Sequence, residues 1–306
     1  MSSMLSVLMV GYRSKPFLAA SLGTLLDALA DIDGLIYFTD NGDDGSEEFV
    51  RAEFPQITVV PSHGNIGFGR GNNLLARHTN SDWLLVVNPD IVVKPDTISR
   101  LLQFVEFHNE FDIVSGVMVD PDENIDSRTI SRLPNLHDLL WGLVGRAERH
   151  QPIDLSQPIV EVPAVNGGFM LIRNSAWQNV GGFDESFFLY AEELDFCARV
   201  AAKGGKIGIV PSSRLSHDIG SGNFFGPDRI LYQLTGNAHY YRKHFGAIRA
   251  AIMIAVLWLS CVIRFGVGAI LGFFQNRYAR MSRAFRKPAC RPWTWMRGYP
   301  DRPSQP

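Results

Sequence analysis

Short apolar runs alternate with amphipathic stretches along the first 120 residues, and this alternation restricts the fold more than any other feature. The apolar runs predict strands at residues 5–10, 34–38, 57–61, 82–87 and 111–119. The stretches between them predict helices at 16–29 and 46–54, a helix that opens with "GRGNNLLARHT", and a helix over "DTISRLLQFVEFH". Strands that alternate with helices form βαβ units, so we expect an α/β fold with a mostly parallel sheet covered by helices on both faces. Ligands of such sheets bind beyond the carboxyl ends of the strands.

Polar side chains follow two of these predicted strands. Asp40 lies in "TDNGDDGS" after the second strand, and Asn88 and Asp90 lie in "NPD" after the fourth. Asn, Asp, Gly and Pro also favour turns, so turn chemistry explains either loop equally well when it is taken alone. Because both loops are expected at one edge of the same sheet, together they favour a ligand site.

The segment "GNIGFGRGNN" (64–73) is rich in glycine, which permits positive φ and a close approach of the backbone to a ligand. A dinucleotide site requires GxGxxG directly after the first strand, whereas this chain has GxGxG after the third strand. The spacing therefore excludes a dinucleotide site. A loop that binds a nucleotide or a sugar stays open as an alternative.

Three carboxylates cluster in "FLYAEELDFCARV" (188–200): Glu192, Glu193 and Asp195. We predict a helix over 191–203, with Leu194, Cys197, Ala198 and Ala201 on its apolar face and Glu192, Asp195 and Arg199 on the other. Glu193 lies between the faces. The helix dipole stabilises a carboxylate at this end by about 0.3–1 kcal/mol, which does not explain the surrounding aromatic residues. A partly desolvated carboxylate at a helix start is a suitable general base.

Taken in order, the motifs resemble those of the family 2 glycosyltransferases, and more narrowly the bacterial rhamnosyltransferases that build O-antigen and related cell-surface glycans. The resemblance covers about residues 4–245. It is carried by "TDNGDDGS", "NIGFGRGN", "NPD", "GGFMLIR", "GGFDESFF", "YAEELDFCAR" and a later His217. It implies the GT-A fold, in which a nucleotide-binding α/β sheet is combined with an acceptor-binding half, and transfer from a nucleotide-sugar with inversion.

The resemblance also implies roles for residues on the donor side. Asp40 would contact the pyrimidine base. In "NPD", Asn88 replaces the first carboxylate of the family's DxD motif, so Asp90 would be the main carboxylate ligand of Mg²⁺ or Mn²⁺, and His217 would complete the metal and diphosphate site. The residues expected to bind the nucleotide-sugar are Asp40, Asn65, Gly67, Asn72, Asn88 and Asp90.

On the acceptor side, the resemblance implies that Glu193 is the catalytic base, because it stands where the family usually has Asp. Glu is longer than Asp by one methylene group. Four residues are expected to support the acceptor side: Tyr190, Glu192, Asp195 and Arg199. The neighbouring Phe187 and Phe188 would exclude water or stack on sugar rings, although at least one of these aromatic residues is expected to belong to the core.

The last 60 residues differ in composition from the rest. The apolar stretch 250–274 contains one charge, Arg264, and eight cations follow Phe274 against a single acid, Asp301. This pattern indicates an anionic membrane surface as partner. Three arrangements stay open: a spanning helix, a segment in the interface or a hairpin broken near Gly266 and Gly268, and a buried helix pair.

These observations lead to a domain assignment. We predict a GT-A domain at 1–246, with a nucleotide-binding part at about 1–119 and an acceptor-binding part at about 160–246. A membrane-associated apolar helical appendage with a basic tail would follow at 247–306. The irregular segment 120–160 is expected to form loops and a short helix that cover or select substrate.

Global charge and cysteine content restrict the partners and the compartment. The formal net charge of −2 gives no indication of nucleic acid as a partner. Three widely spaced cysteines favour a reducing compartment. The N-terminus predicts a first strand and not a signal peptide. We therefore expect the cytoplasmic face of the inner membrane; the oligomeric state stays open.

The expected function is inverting transfer of a sugar, rhamnose from dTDP-rhamnose, to a lipid-linked or cell-surface glycan acceptor. Two alternatives remain. One is a transferase of the same fold that uses UDP-galactofuranose or UDP-N-acetylglucosamine. The other is a non-catalytic scaffold that binds nucleotide, against which the joint presence of Asp90, Glu193 and His217 argues. A nucleotide-dependent oxidoreductase lacks its glycine motif.

Overall fold

A computed structural model of the 306-residue chain describes residues 5–61, 64–120, 122–126, 129–143, 154, 156–217 and 228–300. The chain divides into two compact units. Unit 1 comprises residues 1–133, 151–185 and 192–224, and unit 2 comprises residues 134–150, 186–191 and 225–306. The predicted domain assignment, with a boundary after residue 246, stays a prediction.

Unit 1 is built on a nine-stranded sheet. Its strands are β1 (Leu5–Gly11), β2 (Gly34–Asp40), β3 (Thr58–Val59), β4 (Trp83–Val87), β5 (Ile91–Val93), β6 (Phe111–Val119), β8 (Val160–Glu161), β10 (Phe169–Arg173) and β11 (Lys206–His217). The strand order is β3-β2-β1-β4-β10-β6-β11-β5, and β8 pairs with β11. Two further short strands, β7 (Ile130–Ser131) and β9 (Ala164–Val165), pair with each other.

The helices of unit 1 are α1 (Lys15–Ala28), α2 (Ser46–Glu53), α3 (Phe68–Ala76), α4 (Thr97–Phe107), α6 (Asn174–Val180) and α7 (Glu192–Ala202). Every residue of β1 is buried, as expected for a central strand covered on both faces. The predicted α/β architecture with a mostly parallel sheet is confirmed, and so are the five predicted strands and five predicted helices, within one to three residues at most ends.

Strand directions determine which ends meet at the same edge of the sheet. β1 runs parallel to β2 and β4, β2 to β3, and β6 to β11. Three strands run the other way: β10 is antiparallel to β4 and β6, and both β5 and β8 are antiparallel to β11. The carboxyl ends of β1, β2, β3, β4, β6 and β11 therefore lie at one edge, together with the amino end of β10.

Unit 2 contains α5 (Leu136–Leu143), α8 (Asp228–His244), α9 (Ala247–Leu271) and α10 (Asn276–Cys290), followed by a 3₁₀ turn at Pro292–Thr294. α9 runs without interruption through Gly266 and Gly268, which excludes the alternative of a hairpin broken near these glycines. The chain instead turns at residues 272–275, between α9 and α10. By length and composition, α9 is the one described helix that is long and apolar enough to cross a membrane.

Candidate active site

The carboxyl edge of the sheet brings together the polar residues predicted from the strand ends. Asp40 is the last residue of β2, and Asn88 directly follows β4. β1 lies between these two strands, so their axes are about 10 Å apart, which is two inter-strand spacings. A separation of this size along the carboxyl edge of the sheet suits an extended ligand such as a nucleotide.

Asp40 is a buried carboxylate at this edge. Its side chain is 8% exposed, and its Oδ1 accepts a hydrogen bond of 2.8 Å from the Gly42 N–H. Burial raises the pKa of Asp40 above its ordinary value, while the Gly42 N–H acts in the opposite direction and the charge of Asp44 adds to the increase. A buried acceptor at a strand end is suited to recognising a hydrogen-bond donor on a ligand.

The start of the glycine-rich segment is tied to the same edge. Asn41 Nδ2 donates to the Gly67 carbonyl at 3.0 Å, and the Gly67 N–H donates to Asn65 Oδ1 at 3.1 Å. Gly67 has a φ of 90°, which disfavours any residue with a β-carbon. The predicted donor-binding residues Asn65 and Gly67 therefore lie close to the end of β2 and its neighbour Asn41.

The remaining glycines of this segment serve packing. Gly69 and Gly71 lie inside α3, where a β-carbon on Gly71 would lie 2.8 Å from the Val10 side chain and one on Gly69 would lie 3.1 Å from Phe183. The buried Asn72 donates from its Nδ2 to the Phe68 carbonyl at 3.0 Å. The glycine pattern is thus mainly explained by close contacts of α3, and a role of Asn72 in donor binding stays a prediction.

A tight turn between β9 and β10 joins two of the predicted site residues. The Asn88 N–H donates to the Gly168 carbonyl at 2.8 Å, and the Gly168 N–H donates to Asn166 Oδ1 at 2.8 Å. A β-carbon on Gly168 would lie 3.0 Å from Asn88 Nδ2. A β-carbon on Gly167 would lie 2.9 Å from Cβ of Glu193. Asn88 and Glu193 therefore pack against adjacent glycines of a single turn.

This turn is the part of the site that the sequence reasoning missed. The motif "VNGGFMLIRNSAW" predicts ordered structure but gives Gly167 and Gly168 no role. The available signal was a glycine pair directly before a buried strand, which often marks a close approach of the backbone to another group.

α7 buries both of its faces. Asp195 is 0% exposed and pairs with Arg199, with 2.7 Å between its Oδ2 and Arg199 Nε. Arg199 also donates to the carbonyls of Val180 at 2.7 Å and Gly182 at 2.8 Å. The predicted assignment of faces needs correction, because the Glu192–Asp195–Arg199 side packs inside unit 1 while Ala201, predicted on the apolar face, is exposed.

The two glutamates at the start of α7 differ in environment. Glu192 is 4% exposed, and its Oε2 has no hydrogen-bond partner among the described residues. Burial raises the pKa of Glu192 well above its ordinary value, and the charge of the neighbouring Glu193 raises it further. Glu193 is half-buried and therefore accessible to a ligand. Of the three carboxylates, Glu193 is the one best placed to meet a substrate.

The residues before α7 have unusual backbone geometry. Tyr190 has a φ of 69° and Ala191 a φ of 71°, both in the left-handed region that non-glycine residues rarely adopt. Such conformations cost about 1–3 kcal/mol each and concentrate at functional sites. Of the nearby aromatic residues, Phe187 is buried and packs edge-on against His239, with ring centroids 4.5 Å apart. Phe187 therefore belongs to the core of unit 2.

Asp90 and His217 come together through the pairing of β5 with β11. His217 lies opposite Ile91 in this ladder, which places its backbone one residue from Asp90. Asp90 is 9% exposed, and the side chain of His217 lies outside the described residues. Within the described ranges, no group of three His, Cys, Asp or Glu residues could hold a metal ion. One carboxylate with an amide nearby, from Asp90 and Asn88, fits a cation that is also bound by substrate phosphates.

Comparison with known proteins identifies the family of the chain. Residues 4–225 match the model of the family described as "Glycosyltransferase like family 2". The chain is 27% identical over 242 residues to an N-acetylglucosaminyl-diphospho-decaprenol L-rhamnosyltransferase of Mycobacterium tuberculosis, covering 71% of this chain and 76% of that protein. It is 27% identical over 164 residues to the rhamnosyltransferase WbbL of Escherichia coli, covering 51% of this chain and 62% of that protein.

Solved structures support the fold. The mannosyltransferase PcManGT from Pyrobaculum calidifontis, determined with GDP-Man and Mn²⁺, has a TM-score of 0.60 at 13% identity, covering 95% of this chain and 88% of that chain. S. aureus TarS 1–349 in complex with UDP has a TM-score of 0.53 at 13% identity, covering 94% and 90%. These likenesses confirm the GT-A fold. Because the family model matches well over half of the chain and the sheet has the expected architecture, the chain belongs to family 2 of the glycosyltransferases.

Proposed function

We propose that this glycosyltransferase transfers rhamnose from dTDP-rhamnose to a lipid-linked glycan, with inversion, at the cytoplasmic face of the inner membrane. The printed names of the Mycobacterium tuberculosis and Escherichia coli relatives give rhamnose as the transferred sugar. The first of these names also gives an acceptor linked through a diphosphate to decaprenol. One structural observation carries the proposal: Asn88 and Glu193 pack on adjacent glycines of one turn at the carboxyl edge of the sheet.

Glu193 is proposed as the general base. In the transfer step, the acceptor hydroxyl oxygen forms a bond to the anomeric carbon of rhamnose while the bond from that carbon to the diphosphate oxygen breaks. The hydroxyl proton passes to the Glu193 carboxylate, and the bonding electron pair leaves with the nucleotide diphosphate. A single displacement on the face opposite the leaving group gives inversion. A positioned base of this kind contributes roughly 10²–10⁴-fold to the rate.

The donor is proposed to lie along the carboxyl edge of the sheet, from the end of β2 to the end of β4. Asp40 would accept a hydrogen bond from the thymine base, and Asn65 and Gly67 would line the nucleotide. Asn88, Asp90 and His217 would hold Mg²⁺ or Mn²⁺, which neutralises the charge of the departing diphosphate when bound. Asp195 and Arg199 would act indirectly, because their ion pair fixes the position of α7, the helix that contains Glu193.

The proposal is tested by measuring binding and turnover of a panel of nucleotide-sugars, with Mn²⁺, with Mg²⁺ and with EDTA. The panel contains dTDP-rhamnose, UDP-galactofuranose and UDP-N-acetylglucosamine. Two variants separate the roles: Glu193→Gln should lower turnover of dTDP-rhamnose by about 10²–10⁴-fold while donor binding persists. Asp90→Ala should abolish the stimulation by metal. Glu48→Gln is the matched control, because Glu48 is an exposed first-turn glutamate on α2.

Each alternative has its own outcome. If a UDP-sugar is turned over in preference to dTDP-rhamnose, the transferred sugar is not rhamnose, but the assignment as a transferase still holds. Donor binding without turnover in the wild type would indicate a scaffold. Full activity of Glu193→Gln would remove Glu193 from the role of base, and Glu192→Gln would then be the next variant to measure.

A further inference from the structure

The outward face of α9 is predominantly apolar. Its exposed apolar residues recur at helical spacing: Ile248, Ile252, Ala255, Leu259, Ile263, Val267 and Ile270. The one exposed charge in α9 is Arg249, in its first turn. Ile248 is 80% exposed and Ile270 is 67% exposed. The face extends over about 33 Å, at a rise of 1.5 Å per residue. The outward face of a helix in water normally carries polar and charged residues, so this pattern indicates a surface that meets a partner.

The inward face of α9 packs against α10. A β-carbon on Gly268 would lie 2.7 Å from the backbone nitrogen of Ser282, and one on Gly272 would lie 3.0 Å from Cα of Ala279. Near the other end of the pair, Trp258 Nε1 donates to the Ala289 carbonyl at 3.0 Å. α10 therefore runs back alongside α9 from residue 272 to about residue 258, and the two helices form a closely packed hairpin.

The exposed positions of α10 are mainly basic. The helix carries Arg277, Arg280, Arg283, Arg286 and Lys287, all exposed, and it contains no acidic residue. Lys287 lies 3.6 Å from Asp228, whereas Arg280, Arg283 and Arg286 have no acidic partner within the part of the chain that the structure describes. A row of cations without matching acids is complementary to an anionic surface.

These contacts exclude the spanning arrangement for α9 as long as the hairpin is intact. If α9 crossed a bilayer, α10 would be drawn through the hydrocarbon core with its five exposed cations. Charged side chains in the bilayer core are costly and occur almost only where they face a protein interior or water. The hairpin instead has the composition of an interfacial element, with an apolar face to insert and cations to reach lipid headgroups.

We propose that the α9–α10 hairpin lies in the plane of the membrane surface. The apolar face of α9 inserts at the boundary between headgroups and acyl chains, and the arginines of α10 contact the phosphates of anionic lipids. This inference deepens the membrane location included in the proposed function, and it identifies the partner as an anionic bilayer entered from one side only.

The first test measures binding of the full chain to vesicles of phosphatidylcholine alone and of phosphatidylcholine with phosphatidylglycerol. We expect tighter binding to the anionic vesicles. The triple variant Arg280→Gln, Arg283→Gln, Arg286→Gln should lose this preference, with affinity reduced about 10- to 100-fold. Its matched control is Arg51→Gln, Arg100→Gln, Lys203→Gln, which removes three exposed cations from unit 1.

A second variant addresses the apolar face. Ile252→Glu with Ile270→Glu should reduce binding to both kinds of vesicle, with an unchanged unfolding midpoint because both positions are exposed. The control Phe107→Glu places a glutamate on an exposed apolar residue of α4 in unit 1. Wild-type binding by both the triple variant and this double variant would overturn the proposal. A homodimer in solution that the double variant dissociates would instead assign the face to a second copy of the chain.

The second test asks from which side the hairpin turn is reached. Gln275→Cys is made in a chain carrying Cys290→Ser, which leaves Cys197 and Cys261, both buried. The protein is added to sealed anionic vesicles, with a membrane-impermeant maleimide either outside or trapped in the lumen. The in-plane arrangement predicts no labelling from the lumen. Labelling from the lumen would overturn it in favour of a span. Lys203→Cys reports vesicle integrity, because it should be labelled only from outside.

Neither vesicle experiment requires a sugar donor or acceptor. A negative result would therefore leave the proposed transfer reaction in place, and a failure of the donor panel would leave the vesicle result in place.

Discussion

In most helices of a soluble protein, charged residues are exposed and apolar residues are buried. α7 and α9 depart from this distribution in different ways. α7 buries charge: Asp195 is fully buried, Glu192 nearly so, and Arg199 is largely enclosed by carbonyl groups. α9 exposes aliphatic side chains along its outward face. Buried charges persist where partners satisfy them, and exposed apolar faces persist where something covers them. Both helices therefore depart from the rule for a soluble core at the positions to which we assign function.

The largest expected effect concerns the buried ion pair of α7. Asp195→Ala leaves the Arg199 guanidinium without its carboxylate in a mostly buried position, so the free energy of unfolding should fall by about 3–5 kcal/mol. Urea unfolding followed by circular dichroism measures this change. Glu47→Ala is the matched control, because Glu47 and Arg51 form an exposed pair at the same i, i+4 spacing. The control should change stability by at most about 1 kcal/mol.

An equal loss of unfolding free energy in Asp195→Ala and Glu47→Ala would contradict the contrast between the buried and the exposed ion pair. The burial of the α7 pair would then have no energetic consequence. Rescue of Asp195→Ala by the added substitution Arg199→Met would sharpen it. Such rescue would show that the cost comes from the unpaired charge and not from lost packing.

The next effect concerns the turn that packs against α7. Gly167→Ala forces a β-carbon to within 2.9 Å of Glu193 Cβ, so either the turn or the glutamate must shift. Displacement of a reacting group by about 1 Å can cost about 100-fold in rate, and we expect a loss of this size in turnover of the donor. Donor affinity should be retained. Gly23→Ala is the control, since a β-carbon at that helical position would meet no atom within 4 Å beyond its neighbours and the backbone of its own helix.

Unchanged turnover in Gly167→Ala would contradict the assignment of Glu193 as the base held by this turn. A loss of donor affinity without a loss of turnover would place the effect of the substitution on the Asn88 side of the turn.

The smallest expected effect is the pH dependence caused by Glu192. Its folded-state pKa is raised by burial, so the folded chain holds this proton at pH values where the unfolded chain has released it. Stability should therefore fall as pH rises from the unfolded pKa towards the raised folded pKa, by about 1.4 kcal/mol for each unit between them. Glu192→Gln should flatten this slope.

The measurement is urea unfolding at several pH values from 4 upwards, with Glu48→Gln as the exposed control. An identical slope in the wild type and in Glu192→Gln would show that Glu192 does not carry the pH dependence.

Much of the fold was predictable because its signals are local. Asp40, Asn88 and Asp90 lie directly after apolar runs in the sequence. This local pattern is sufficient to predict that they lie at one edge of the sheet. The antiparallel β10 between β4 and β6 was not predictable in this way, because strand direction and sheet order depend on contacts between distant segments. The pairing of His217 with Ile91 depends on the same long-range order.

The site was less predictable than the fold. The spacing of Glu192, Asp195 and Arg199 is the same for a solvated face and for a buried one, so the sequence could not show that this side packs inside unit 1. The glycines at 69 and 71 resembled a ligand loop, although their small size is required by Phe183 and Val10. Gly167 and Gly168 are the reverse case. They pack against site residues, but the sequence around them does not indicate which residues they contact.

The apolar outer face of α9 has a kinetic consequence. An enzyme held by this face along one leaflet encounters a lipid-linked acceptor by lateral diffusion in two dimensions. The concentration that governs its rate is then the mole fraction of acceptor in the bilayer, and not the amount of acceptor per volume of solution. Diluting the acceptor with inert lipid should slow such an enzyme, while diluting the whole suspension with buffer should leave the rate per bound molecule unchanged.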